Sequence, residues 1–134
     1  MQISLTIYPV IGNFNLPEVI ETMNGIIGFN RLRFQSDRRI FRQIIDLSEY
    51  EKEKFEQKVS PKPLPAGISL TTYEDEGLTE VKKDDLFGNE LCYLEAGDFM
   101  KIIFPEDTSQ INMAIKSFLD SLDPKTMIIL YWEG

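Results

Sequence analysis

The sequence predicts an α+β fold (mixed α/β), with a single mixed sheet of about six or seven strands and three helices packed on it. Three observations carry this expectation. Ile111, Ala114, Ile115, Phe118, Leu119 and Leu122 recur at the 3.6-residue period and make one apolar stripe along a helix. Met127 to Trp132 are uninterrupted apolar residues, too few for a helix and suited to a strand covered on both faces. Shorter segments alternate apolar with polar residues, the period of half-buried strands. At 134 residues the chain is expected to form one domain over residues 1–134, which would bury roughly two-thirds of its unfolded surface.

In order, Gln2–Tyr8 alternates Ile3, Leu5 and Ile7 with Gln2, Ser4 and Thr6, and Pro9 with Gly12-Asn13 ends this first strand. Leu16-Pro17-Glu18 predicts a short helix, because Asn15 suits the N-cap, Pro17 the first turn and Glu18 the positive end of the dipole. Val19, Ile20 and Met23 form its apolar side, and Asn24-Gly25 stops it. Phe29–Gln35 alternates again, with Leu32 and Phe34 opposite Arg31 and Arg33. After the polar turn Ser36–Arg39, the run Ile40–Leu47 reads as the second strand of a hairpin, with a helix as the alternative.

Ser48 and Glu51 make a capping box, so a charged surface helix is expected from Glu49 to about Lys58, anchored by Phe55 and Val59. Pro61, Pro63 and Pro65 then impose a stiff, extended connector. Ile68, Leu70 and Thr72 alternate with Ser69, Thr71 and Tyr73, a further strand, and the acidic passage from Glu74 to Asn89 is rich in turn residues. Leu91–Glu95 and Phe99–Phe104 flank Ala96-Gly97-Asp98, the pattern of a tight hairpin. Asp107 with Gln110 is a box-like cap for the helix of the apolar stripe, and Asp123-Pro124 closes it.

The predicted order is β-α-β-β-α-β-β-β-α-β, with Ile111, Ile115, Phe118, Leu119, Ile128 and Leu130 as core. Phe99–Trp132 has the length of a right-handed crossover, which would set Met127–Trp132 parallel to Phe99–Phe104 as a central strand. Trp132, near the chain end, is the member of that strand expected to reach the surface.

Hydrophobic residues make up 43% and charged residues 27%, and no apolar run approaches the roughly 20 residues of a membrane span. Neither disorder nor a membrane partner is therefore expected. Met1–Pro9 lacks the basic and continuous apolar regions of a secretory leader, and the single cysteine, Cys92, cannot form an internal disulfide. A cytoplasmic location is the resulting expectation.

Net charge is −8. Residues 1–47 hold five arginines against four acids, whereas residues 48–134 hold nine lysines against eighteen acids. The acidity argues against nucleic acid as a ligand, because phosphate neutralisation needs clustered Lys and Arg, and it favours a basic partner.

The absence of histidine excludes Ser-His-Asp and Cys-His catalysis and imidazole metal sites, and the glycines make no phosphate loop of the Walker or Rossmann type. No enzyme activity, metal or cofactor is expected. Cys92, between Leu91 and Tyr93, reads as a small buried residue of a strand rather than a nucleophile. Glu74-Asp75-Glu76-Gly77 lacks the ligand spacing of a calcium loop.

Two charge asymmetries are left. Arg31, Arg33, Arg38, Arg39 and Arg42 are all the arginines of the chain, and as a cluster they suit an anion or a small molecule at a regulatory site. Glu74, Asp75, Glu76, Glu80, Asp84, Asp85, Glu90, Glu95 and Asp98 face only Lys82 and Lys83 within the same passage, and Phe87 and Tyr93 are interleaved with them. Acids beside aromatics suit the interface for a basic partner, since charge steers the encounter and aromatics anchor it.

In size, charge and class the chain resembles bacterial toxin immunity proteins, which neutralise basic nuclease toxins by covering or abutting the active site. That resemblance implies a non-enzymatic inhibitor and carries over no residues; on the charge asymmetry, the acids from Glu74 to Asp98 are expected to mimic phosphate charge and meet the toxin's Lys and Arg.

Overall fold

In a computed structural model, residues 2–10, 31–47, 55–66, 68, 70 and 81–134 are described in full, and residues 19–22, 25–28, 71–73 and 79–80 by their backbone. The elements run β1 (Ser4–Pro9), β2 (Val19–Thr22), β3 (Gly25–Gly28), β4 (Leu32–Phe34), α1 (Arg38–Phe41), β5 (Lys62–Pro63), β6 (Leu70–Tyr73), β7 (Thr79–Lys82), β8 (Cys92–Glu95), a 3-10 helix (Ala96–Lys101), α2 (Gln110–Asp120) and β9 (Met127–Glu133). The fold is α+β.

Five strands form one sheet in the order β4-β1-β9-β8-β5, with every neighbouring pair antiparallel. The pairs β2–β3 and β6–β7 are separate two-stranded ribbons. As its composition requires, β9 lies in the middle and is dry on both sides. Ile128, Leu130 and Trp132 join a cluster with Ile3, Leu5, Ile7, Phe34, Phe41, Phe99, Ile115 and Leu119, while Ile129 and Tyr131 pack with Leu70 and Leu91 on the other face. Burying each such large side chain contributes about 1.5–3 kcal/mol. Phe34 is the hub of the larger cluster, edge-on to Phe41 and stacked on Phe99, each at 6.4 Å between centroids. Trp132 is buried rather than superficial, and its ring meets Phe41 edge-on at 5.3 Å.

The parallel crossover expected at the C-terminus is not formed. Glu95 and Asp98 make a capping box, with Asp98 Oδ2 accepting from Glu95 N at 2.9 Å, so Ala96-Gly97-Asp98 runs on into a 3-10 turn instead of reversing as a hairpin. Phe99 and Ile102 fold inward from that turn, and β9 returns antiparallel to β8. Gly97 packs closely there: an added Cβ would stand 3.1 Å from both Cβ and the carbonyl oxygen of Pro124, so Pro124 would have to shift by a few tenths of an ångström.

Three other local expectations also give way. Val19–Thr22 is a strand rather than a helix: its β-branched residues favour an extended backbone, and Gly25, read as a helix stop, begins the partner strand. Residues 38–41 are helical rather than extended, because Asp37 caps them by accepting from Arg39 N at 3.0 Å. Burial of Ile40, Phe41, Ile44 and Leu47 follows the helical period. Of the helix expected over 49–58, residues 48–54 lie outside the described residues. Phe55–Lys58 are not helical, and Lys58 N donates to Gln43 O at 2.9 Å.

In α2 the cap is Ser109, which accepts from Asn112 N at 3.2 Å, while Asp107 pairs with Arg39. The buried side is Asn112, Ile115 and Leu119, with Phe118 half-buried, and Ile111 is exposed rather than in the core. The rotation places the Asn112 amide against strand β4's end: Oδ1 accepts from Gln35 N at 2.8 Å and Nδ2 donates to Gln35 O at 3.0 Å. Gln43 acts likewise, bonding Ile103 N and Ile103 O, both at 2.8 Å. These two buried carboxamides satisfy backbone that no strand or helix serves.

Asn112→Ala strands the Gln35 N–H and C=O and is expected to lower stability by about 1–3 kcal/mol, whereas Met113→Ala on the exposed side stays within about 0.5 kcal/mol. Urea denaturation measures both. Equal midpoints for the two variants would show that the Asn112 clip is dispensable.

Candidate functional site

The acidic passage builds its best-defined feature between Asp84 and Glu90. Asp85 organises the turn: its Oδ1 accepts from Phe87 N at 2.9 Å and Asn89 N at 3.0 Å, and its own N–H donates to Asn89 O at 2.9 Å. Gly88 takes φ of 81°, a left-handed conformation that glycine adopts without strain. Leu86 N donates to Trp132 O at 3.1 Å, which ties the turn to the end of β9. Across its base, Asp84 and Glu90 face each other as an antiparallel bridge, both exposed. Like charges placed opposite each other are unfavourable.

The turn closes one side of a pocket of about 210 Å³. Ile3, Leu130 and Trp132 come from the sheet, Ile45 and Leu47 from the segment after α1, and Phe87 from the turn. Asp46, Asp85, Glu90 and Cys92 are its titratable lining groups. Pockets for drug-sized ligands span roughly 300–1,000 Å³, so this one is scaled to a single side chain or small group.

Electrostatically the pocket is negative. Burial pushes the Asp85 carboxyl above its ordinary value of 3.8, opposed by the two backbone N–H bonds and reinforced by Asp84. Burial also raises the Cys92 thiol above 9.0, and Glu90 and Asp85 push it the same way. A thiol so placed is protonated at neutral pH and is a wall of the pocket, not a nucleophile. It donates weakly to Glu90 O at 3.5 Å.

Asp85, Phe87 and Glu90 thus come together, with Asp84 beside them. Tyr93 lies half-buried, paired with Ile129 and Lys62. Glu95 and Asp98 serve their own capping box, and Asp98 also pairs with Lys101 at 3.4 Å. The backbone of Glu80 is in β7, opposite Thr72, and Glu74, Asp75 and Glu76 lie outside the described residues. Asp46, Trp132, Ile3 and the Ile45–Leu47 segment were not legible as site residues. Only the apolar pair flanking Asp46 hinted that this acid sits beside packed surface.

The arginines are divided. Arg33 donates to Ser4 Oγ at 3.0 Å, on the sheet face opposite the Phe34–Phe41 cluster. Arg38, Arg39 and Arg42 are on or just after α1, whose Ile40 and Phe41 enter that cluster. Arg39 is engaged by Asp37 at 2.9 Å and Asp107 at 2.5 Å, and these bonds hold its pKa above the ordinary value while lowering that of Asp107.

Among the described residues, no group of three or more His, Cys, Asp or Glu is placed to hold a metal, and no helix is long and apolar enough to cross a membrane. The chain matches no protein-family model, no curated protein and no solved structure.

The sign of the Asp85 shift has a measurable consequence. A carboxyl raised in the folded state contributes stability below its unfolded pKa and loses it as pH rises through the folded one. Asp85→Asn keeps an acceptor for the turn without the buried charge. It is therefore expected to gain on the wild type as pH rises from below 3.8 to neutrality. Thermal melts of both proteins across that range check this, and a difference that stays constant with pH would refute it.

Proposed function

We propose that this chain is a non-enzymatic binding protein that covers and neutralises a basic protein partner, as an immunity protein does with a bacterial toxin such as a nuclease. The observation that supports it is the disposition of charge at the pocket. Asp85 and Glu90 line an apolar hollow with aromatic walls, Asp84 stands opposite Glu90, and no described cation makes a salt bridge to any of the three. By contrast, Asp37, Asp98, Asp107 and Asp120 are each paired within the protein.

Carboxylates held together without a counter-ion among the described residues suit a partner that brings its own cations. The net charge of −8 would steer that partner from a distance, and Phe87 and Trp132 offer apolar surface beside the charges. Glu74, Asp75, Glu76 and Glu80 precede the turn in the same acidic passage and enlarge its charge. With no imidazole available as an acid or base, the protein acts by occupying its partner's surface.

The test is stopped-flow association with basic toxin nuclease domains, beginning with any found encoded next to this chain. At low salt the rate is expected to approach roughly 10⁸ M⁻¹s⁻¹ and to fall steeply as salt is added. Reversing Glu74, Asp75 and Glu76 to lysine should slow association at least tenfold without unfolding the protein. A rate insensitive both to salt and to these reversals would contradict the reading.

A further inference from the structure

The basic-partner reading leaves open what the pocket itself receives. Its size, walls and rim narrow the choice. At about 210 Å³ it holds one side chain, and its apolar lining from Ile3, Ile45, Leu47, Phe87, Leu130 and Trp132 suits an alkyl stem. Asp85 and Glu90, both from the 84–90 turn, add carboxylates to that lining. Such an environment selects a group that is apolar along its length and cationic at its tip.

Lysine and arginine both fit that description, but desolvation separates them. An ammonium is compact and strongly hydrated, and losing water against an apolar wall is costly. A guanidinium is more weakly hydrated, stacks on aromatic faces such as those of Phe87 and Trp132, and offers donors in a fork that matches carboxylates. We propose that this pocket is the receptacle for one arginine side chain of the basic partner, with the guanidinium set against Asp85 and Glu90. The inference rests on the basic-partner reading and adds an anchor residue to it.

The cation answers two features of the pocket. It relieves the repulsion of Asp84 and Glu90 across their bridge, and it compensates the buried charge of Asp85. Both effects favour the occupied state over the free one.

The experiment needs no partner, because the sole tryptophan, Trp132, lines the pocket and reports on it. N-acetyl-arginine amide, N-acetyl-lysine amide and N-acetyl-norleucine amide are titrated into the intact protein. Trp132 fluorescence and backbone amide shifts are followed by NMR. The arginine amide is expected to bind with a dissociation constant on the order of 1 mM, shifting the amides of Leu47, Phe87 and Cys92. The lysine amide should bind at least fivefold more weakly, and the norleucine amide should give no saturable shift.

Asp85→Asn combined with Glu90→Gln should weaken the arginine amide at least tenfold, with the NMR spectrum confirming that the variant is folded. Equal binding of lysine and arginine amides, binding of norleucine amide, or no shift at these residues would overturn the proposal. Since the probes contain no partner protein, such a failure leaves the association kinetics with the nuclease domain to decide the broader reading separately.

Discussion

Strand β9 has to be kept dry on both faces, and the rest of the fold follows from that constraint. Ile128, Leu130 and Trp132 on one side and Ile129 and Tyr131 on the other leave no surface of it for water. A strand of that kind cannot be an edge, so β1 and β8 flank it, and helical segments, aromatics and the side chains of Leu64, Ile68 and Leu70 supply its two covers. The antiparallel arrangement places its C-terminal end beside the start of β1 and the Asp84–Glu90 turn. The pocket is a consequence of that meeting. Its floor is the end of the central strand, and its rim is a turn held to that strand through Leu86 N and Trp132 O.

Such an arrangement holds in place the carboxylates of Asp84, Asp85 and Glu90, which pair with no cation among the described residues. The carboxylates at the rim are not stabilising, since Asp85 is raised by burial and Asp84 faces Glu90. They are kept by what surrounds them: two N–H bonds on Asp85, a left-handed Gly88, and apolar packing beneath. The acids that are paired do structural work instead, Asp37 at a helix start and Asp98 in a capping box. In a chain where acidity is general, the acids paired within the protein are thereby distinguished from Asp84, Asp85 and Glu90, which no described cation engages.

Much of the scaffold was legible in the sequence, because burial on both faces leaves an unbroken apolar run and burial on one leaves a period. β1, β9 and the body of α2 were read from those signals alone. Helix and strand were confused where a second signal competed with the first. Val19 and Ile20 followed good helix-start residues, and Ile40–Leu47 hid a helical spacing inside what looked like alternation. The rotation of α2 could not be foreseen, since nothing marks Asn112 as an inward residue until Gln35 is placed beside it. Of the residues lining the pocket, Asp85, Phe87 and Glu90 were singled out by charge and aromatic content, while Asp46, Ile3 and Trp132 join them only through long-range topology. Glu95 and Asp98 looked equivalent to those acids because composition does not record which carboxylates the backbone uses.

We propose the acidic pocket at the end of β9 as the face that meets a basic partner. Hydrogen–deuterium exchange of the protein, free and bound to a basic toxin domain, tests this. Protection is expected for the backbone from 84 to 92 and from 45 to 47, with α1 and β4 unchanged. Protection confined to the arginine-bearing segment from 31 to 42, with exchange at 84–92 unaltered, would contradict it.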